Sequence, residues 1–253
     1  MEIYTLGIDS GSTYTKGALF NGDKIIKTYK VRTSAKPKES IYLIYNELYS
    51  DKVKYVVTTG YGRALLNESN KQVTEITCHA QGAAFLNPNT RTIIDLGGQD
   101  CKAIKLDKSL NVVDFIMNDK CAAGTGRFIE VMMRILEEDI SNIDTFVENK
   151  NTINISSMCT VFAESEIISL LSKDEDRGDI ALGVLHSIAK RTASFSKRLK
   201  TEDLVFFTGG LANSNAFKEI LSEYLNHNVF THELSQYAGA IGAAVIGYKK
   251  YNK

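Results

Sequence analysis

Two stretches of the chain share one pattern of apolar and polar positions. Residues 5–31, TLGIDSGSTYTKGALFNGDKIIKTYKV, read as an apolar strand, a sharp small-residue turn, a second strand, a turn and a third strand. Residues 92–117, TIIDLGGQDCKAIKLDKSLNVVDFIM, read the same way. The polar landmarks keep step, with Asp9, Gly11 and Lys16 at the same offsets as Asp95, Gly97 and Lys102. Asn21-Gly22 marks a hairpin in the first copy, and residues 108–111 make a longer turn in the second. The repeat predicts an α/β fold made of duplicated halves that face each other across a cleft.

Elsewhere the apolar period is helical. Residues 38–50 predict a helix, and VKYVVTTG (53–60) a strand that runs into the glycine turn 60–63. A helix over 124–139 puts Phe128, Met132, Ile135 and Leu136 on one face, and one over 162–173 does so with Ala163, Ile167, Leu170 and Leu171. These stripes predict core contacts. Residues 179–200 form a long helix ending in basic residues, as the helix dipole favours. LVFFTGGLANS (204–214) is a strand ending in a glycine turn, and SNAFKEILSEYL continues it as a helix. The Gly/Ala-rich helix 237–250 can approach a neighbour closely. The expected division is a first lobe of residues 1–90, completed by the C-terminal helix 238–253, and a second lobe of residues 91–237.

Charge narrows the function. Thirty Lys and Arg balance thirty Asp and Glu, so no basic field argues for nucleic acid or an anionic membrane surface. The start, MEIYTLGIDSG, does not read as a signal peptide, and the apolar run 238–248 is too short to span a bilayer. The expectation is a cytoplasmic protein. Its four cysteines, Cys78, Cys101, Cys121 and Cys159, form no CxxC pair. Cys78 and Cys101 read as small buried hydrophobes. Cys121 and Cys159 differ, because each enters a predicted helix, and Cys121 does so from the polar approach Asn118-Asp119-Lys120. The positive end of a helix lowers a thiol pKa and favours an anion.

The loops after the first strand of each copy suit phosphate. Asp9 is followed by Gly11, Ser12 and Thr13, whose amides and hydroxyls can hold phosphate oxygens, with Lys16 as compensating charge. The second loop supplies Asp95, Gly97 and Gly98. Two such aspartates suit Mg²⁺, which takes a few carboxylates, waters and phosphates. Gln99 is a candidate for orienting an attacking water. Walker A and GxGxxG patterns are both missing.

The two loops and the 209–210 glycine turn resemble the phosphate-1, phosphate-2 and adenosine motifs of the actin, Hsp70 and sugar-kinase ATPase superfamily. Its fold is α/β, duplicated and RNase H-like, with two lobes around a nucleotide cleft. More specifically, DLGGQD, NDKCAAGTGRF, SSMCTVFAESE and YAGAIGAA resemble the BadF/BadG family, which includes activators of 2-hydroxyacyl-CoA dehydratases and of double-cubane iron–sulfur proteins. That resemblance implies a homodimer bridging one [4Fe–4S] cluster, with Cys121 and Cys159 of each subunit as ligands. It implies ATP or ADP with Mg²⁺ around Asp9, Gly11, Ser12, Thr13, Lys16, Asp95, Gly97, Gly98 and Gln99, and adenosine near Gly209 and Gly210. Ferredoxin or flavodoxin would be the electron donor, and a dehydratase, reductase or double-cubane protein the acceptor. The chain departs from many relatives at Ser214 and Ala216, where they carry Asn and Gly. The alternatives are a small-molecule (sugar) kinase with Asp119 as base, and an actin-like filament. A cluster or zinc site within one chain would draw on all four cysteines, and His79 and His232 read as structural.

Overall fold

The computed structural model describes residues 3–156, 159–200 and 204–252, so Ser157 and Met158 of the second cysteine motif lie outside the described residues. In chain order the elements are β1 (Tyr4–Ser10), β2 (Tyr14–Phe20), β3 (Ile25–Arg32), α1 (Pro37–Leu48), β4 (Val53–Gly60), β5 (Lys71–Gln72) and α2 (Glu75–Leu86). There follow β6 (Thr92–Leu96), β7 (Cys101–Leu106), β8 (Val112–Asn118), α3 (Gly126–Ile135), α4 (Ile143–Phe146), α5 (Thr160–Leu171) and α6 (Arg177–Ser196). The chain closes with β9 (Val205–Gly209), α7 (Asn215–Leu225), β10 (Val229–Phe230) and α8 (Ala238–Tyr251).

The repeat seen in the sequence is a repeat of topology. One sheet runs β3-β2-β1-β4-β5, and the other, read from its far edge, runs β8-β7-β6-β9-β10. Corresponding strands occupy corresponding places. The match reaches single residues: Gly60 ends β4 at φ +86, and Gly209 ends β9 at φ +107. A side chain at Gly60 would meet the Ser10 carbonyl, and one at Gly209 the Leu96 carbonyl. Those carbonyls follow Asp9 and Asp95 directly, so both halves press a glycine-ended strand onto the chain just past the repeated aspartate.

Contacts divide the chain into two compact units. The first comprises residues 1–93, 104–114 and 232–253. Its β1 alternates cleanly: Leu6 and Ile8 join the cluster around Ile41 and Ile44 of α1, while Gly7 lies under Ala240 of α8 on the opposite face. Ala18 and Phe20 of β2 also face α8, beside Ile241 and Val245. Helix α2 reaches the same layer through glycines, because a side chain at Gly82 would strike the Ala238 carbonyl and one at Gly242 the Cys78 carbonyl.

The second unit comprises residues 94–103 and 115–231. Its core joins Ile94 and Leu96 of β6 and Val205 and Phe207 of β9 to Phe128 and Met132 of α3, Ala163 and Ile167 of α5, and Ile188 of α6. Asp176 caps α6 by accepting from the amides of Gly178 and Asp179, and the Ser214 hydroxyl caps α7 by accepting from Phe217. The helix expected over 124–139 is shorter, because residues 122–124 make a separate 3₁₀ turn and Glu137 takes a left-handed backbone (φ 53) just past its end. Helix α5 starts two residues earlier than the apolar stripe indicated, directly after Cys159. Among the described residues, no helix is long and apolar enough to cross a membrane.

The α2–α8 contact admits no extra atoms. Gly242→Ala should therefore lower stability by about 1–3 kcal/mol through overpacking against a backbone carbonyl, measured as the midpoint of denaturant unfolding.

Candidate functional site

In the first unit Asp9 stands near the end of β1, buried, directly opposite Lys16 on β2. A side chain at Gly239 of α8 would collide with the Asp9 carboxylate, and His79 Nε2 of α2 lies 4.0 Å from its Oδ2. Gly11, Ser12 and Thr13 form the tight turn between β1 and β2. The Gly11 carbonyl accepts from the Thr33 hydroxyl (2.8 Å), and the Thr13 carbonyl accepts from the Thr33 amide (2.9 Å). The turn is thus pinned through its carbonyls. The hydroxyls of Ser10 and Thr13 are buried without a hydrogen-bond partner, which is costly unless a ligand oxygen or water completes them.

The second unit repeats the pair in tighter form. Asp95 lies on the face of β6 opposite Ile94 and Leu96. Its Oδ1 accepts from the Thr208 hydroxyl of β9 at 2.8 Å, and its Oδ2 is 3.4 Å from Lys102 Nζ. The same ammonium is 2.7 Å from Asp100 Oδ2. Lys102 is only 3% exposed, so one buried cation holds two buried carboxylates in place. Gly97 donates its amide to the Asp100 carbonyl, closing the loop, and Gln99 sits at its exposed tip. A side chain at Gly97 would strike the Asp100 carboxylate. At the end of β9, Gly209 is locked against Leu96, whereas Gly210 is exposed and borders open space.

The carbonyls of that loop are taken by a helix. The amide of Gly126 donates to the Gly97 carbonyl (2.8 Å), and that of Arg127 to the Gly98 carbonyl (3.0 Å). Both donors belong to the first turn of α3, where amides lack partners within the helix. Cys121 therefore does not cap α3. It precedes the 3₁₀ turn 122–124, and its carbonyl accepts from Gly124 and from Asn118 Nδ2. Cys159 does occupy the N-cap of a true helix, α5, whose first turn receives no side-chain cap. Both thiols are exposed, and Cys78 and Cys101 are buried.

The cysteines sort chemically as well. Burial pushes the Cys78 thiol up to about 12. Burial also raises the Cys101 thiol, and the neighbouring Asp95 carboxylate adds to the rise. Arg191 of α6 lies beside the first cysteine turn, donating from Nη1 to the Ala123 carbonyl (2.9 Å) with its guanidinium 4.9 Å from the centre of the Phe128 ring. Asp100, Thr208, Ser10 and Arg191 escaped the sequence reading. A residue-by-residue comparison of the two hairpins marks Lys102 as the partner of Lys16, but nothing local announces Thr208, which is 113 positions from Asp95. His79 was read as structural and proves to face Asp9. His232 does have a structural role, its Nδ1 accepting from the Leu234 amide.

Solved structures with similar coordinates give the class. An activator of the 2-hydroxyisocaproyl-CoA dehydratase from Clostridium difficile, solved with bound ADPNP, matches 99% of this chain and 96% of its own, with a TM-score of 0.93 and 40% identity. A ROK family glucokinase from Streptomyces griseus, at 14% identity and a TM-score of 0.61 over 97% of this chain and 99% of its own, shares the fold alone. The fold class is thus the duplicated, RNase H-like α/β fold of the actin and sugar-kinase superfamily. In sequence, the (R)-2-hydroxyglutaryl-CoA dehydratase activating ATPase of Acidaminococcus fermentans is 42% identical over 100% of both chains. With the family profile matching residues 6–247, the chain belongs to the BadF/BadG/BcrA/BcrD ATPase family.

Two outcomes follow from the site's electrostatics. Lys102→Met leaves Asp95 and Asp100 buried without their cation and should destabilise the fold by about 3–5 kcal/mol, read by denaturant unfolding. In metal-free native protein at pH 8, an alkylating reagent should modify Cys121 and Cys159 and spare Cys78 and Cys101, because the thiolate is the reactive form. Peptide mass mapping after labelling checks this.

Proposed function

We propose that the chain is an ATP-driven, one-electron donor that activates an iron–sulfur dehydratase or reductase and works as a homodimer around one shared [4Fe–4S] cluster. The observation that carries this reading is the pair of exposed thiols, Cys121 and Cys159, in a chain whose other two cysteines are buried. A cubane takes four thiolates. Among the described residues, no group of three His, Cys, Asp or Glu stands ready to hold a metal, so one chain offers half a ligand set and two copies related by a two-fold offer all of it. Val161 and Phe162, just beyond Cys159, are 65% and 68% exposed, an apolar surface beside the thiol that a second copy would cover. A cluster at these thiols supplies storage for one electron.

ATP belongs to the two hairpin loops. Asp9 and Asp95 are assigned to Mg²⁺, Gly11, Ser12, Thr13, Lys16, Gly97 and Gly98 to the phosphates, Gln99 to the attacking water, and Gly209 and Gly210 to the adenosine. The unpartnered hydroxyls of Ser10 and Thr13 support phosphate at the first loop. The second loop is linked to the turn of Cys121 through α3. Loss of the γ-phosphate alters the forces on Gly97 and Gly98, whose carbonyls hold the first turn of α3, and the turn bearing Cys121 precedes that helix. Hydrolysis in this scheme gates an electron taken from ferredoxin or flavodoxin and phosphorylates no substrate. The similarity to named dehydratase activators supports the acceptor class.

Protein purified without oxygen should contain about four iron and four acid-labile sulfide per dimer, and Cys121→Ser should abolish both. Protein that binds ATP yet carries no iron would sink this reading and direct attention to phosphoryl transfer onto a sugar.

A further inference from the structure

Beside the first cysteine turn, within the second unit, lies a concavity of about 180 Å³ whose lining includes Cys121, Asn118, Gly124, Arg191, Thr192 and Phe195. Two of these are consecutive residues of α6 with unlike chemistry. Arg191 is half-buried and held at two points, by the Ala123 carbonyl and by the face of Phe128. Its charge is permanent, since a guanidinium does not give up its proton in proteins. Thr192 is 1% exposed, and its hydroxyl has no hydrogen-bond partner. A buried hydroxyl in that state is rare and marks a site awaiting an acceptor. The acceptors that line the same concavity are the sulfurs of Cys121 and of buried Cys101 and the Asn118 amide oxygen, and of these the exposed Cys121 sulfur is the one the proposed function assigns to the cluster.

We propose that Arg191 and Thr192 tune the reduction potential of the cluster bound through Cys121, the guanidinium as a fixed positive charge and the hydroxyl as a donor to sulfur, so that the reduced state is favoured. The inference rests on the cluster reading and deepens it. Gaining one electron makes the thiolate-bound group one charge more negative. A nearby cation and a hydrogen bond to sulfur both stabilise that added charge, which are two levers a protein has on cluster potential. Arg191 lies within electrostatic reach of both cysteines: burial lowers its pKa, and negative charge at Cys121 or Cys159 would oppose that. A purely structural Arg191 would brace Ala123 and Phe128 and leave the potential alone.

The test is a redox titration of the anaerobically purified homodimer, followed by the paramagnetic signal of the reduced cluster. Arg191→Met should move the midpoint to more negative potential, cutting the reduced-to-oxidised ratio at a fixed potential about tenfold, equivalent to about 59 mV for one electron. Arg191→Lys, which keeps the charge, should restore most of it. Thr192→Val, nearly isosteric, should lower the ratio about threefold, the size of one lost hydrogen bond, and it gives a result even where Arg191→Met fails to fold. Wild-type and Thr192→Val clusters with one and the same midpoint, or an Arg191→Met midpoint equal to wild type, overturn the inference. A wild-type dimer with no cluster at all overturns the cluster reading beneath it.

Discussion

The second unit hangs on where the first-turn amides of α3 find their acceptors. Helix starts leave amides unpaired, and capping by Ser, Thr, Asp or Asn is the common remedy, used here by α6 and α7. Helix α3 takes a different one. Gly126 and Arg127 donate to Gly97 and Gly98, so the candidate phosphate loop and the helix behind it are mutually dependent. Space is short on both sides of that contact: a side chain at Gly126 would press on the Gly97 carbonyl, and one at Gly97 on the Asp100 carboxylate. The turn that presents Cys121 is attached to the N-terminal end of this assembly, and Arg191 grips it from α6.

Duplication explains why the chemistry is paired. Each half places an aspartate near the end of its first strand, a lysine opposite on the next strand, and a positive-φ glycine against the residue following the aspartate. The copies then diverge in what they add. The first surrounds Asp9 with His79 and Gly239. The second surrounds Asp95 with Thr208, Lys102 and Asp100 and inserts α3 to α6 between its third and fourth strands, where the first has α1 alone. The exposed cysteines belong to that insertion. The second copy alone thus carries the two exposed thiols, Cys121 just before α3 and Cys159 at the start of α5.

Much of this was legible along the chain. The hairpins, β4, α1 and α8 follow from period and turn residues, and the stripes on α3 and α5 do face the core, with Phe128, Met132, Leu136, Ala163 and Ile167 fully buried. Helix α2 was not legible: its buried residues are Cys78, His79, Ala80, Gly82 and Ala83, mostly small and with a polar member, too weakly apolar to mark a period, because it packs by backbone approach to α8. The helix expected over 124–139, after Cys121, starts later, with a separate 3₁₀ turn ahead of it, because the Gly97 and Gly98 carbonyls draw the start of α3 to Gly126.

The sequence by itself determined the repeat, the strand ends carrying Asp9 and Asp95, and the two cysteines set apart by standing before predicted helices, Cys121 with a polar approach besides, since all of these are local patterns spanning a few residues. Tertiary structure alone decided which side chains complete them. Thr208 meets Asp95 from 113 positions away, and Arg191 meets the Ala123 carbonyl from 68. Those partners are brought together by sheet order and helix packing, and no neighbouring residue carries a trace of them. A buried charge takes whatever complement the fold delivers, and that choice is made in three dimensions.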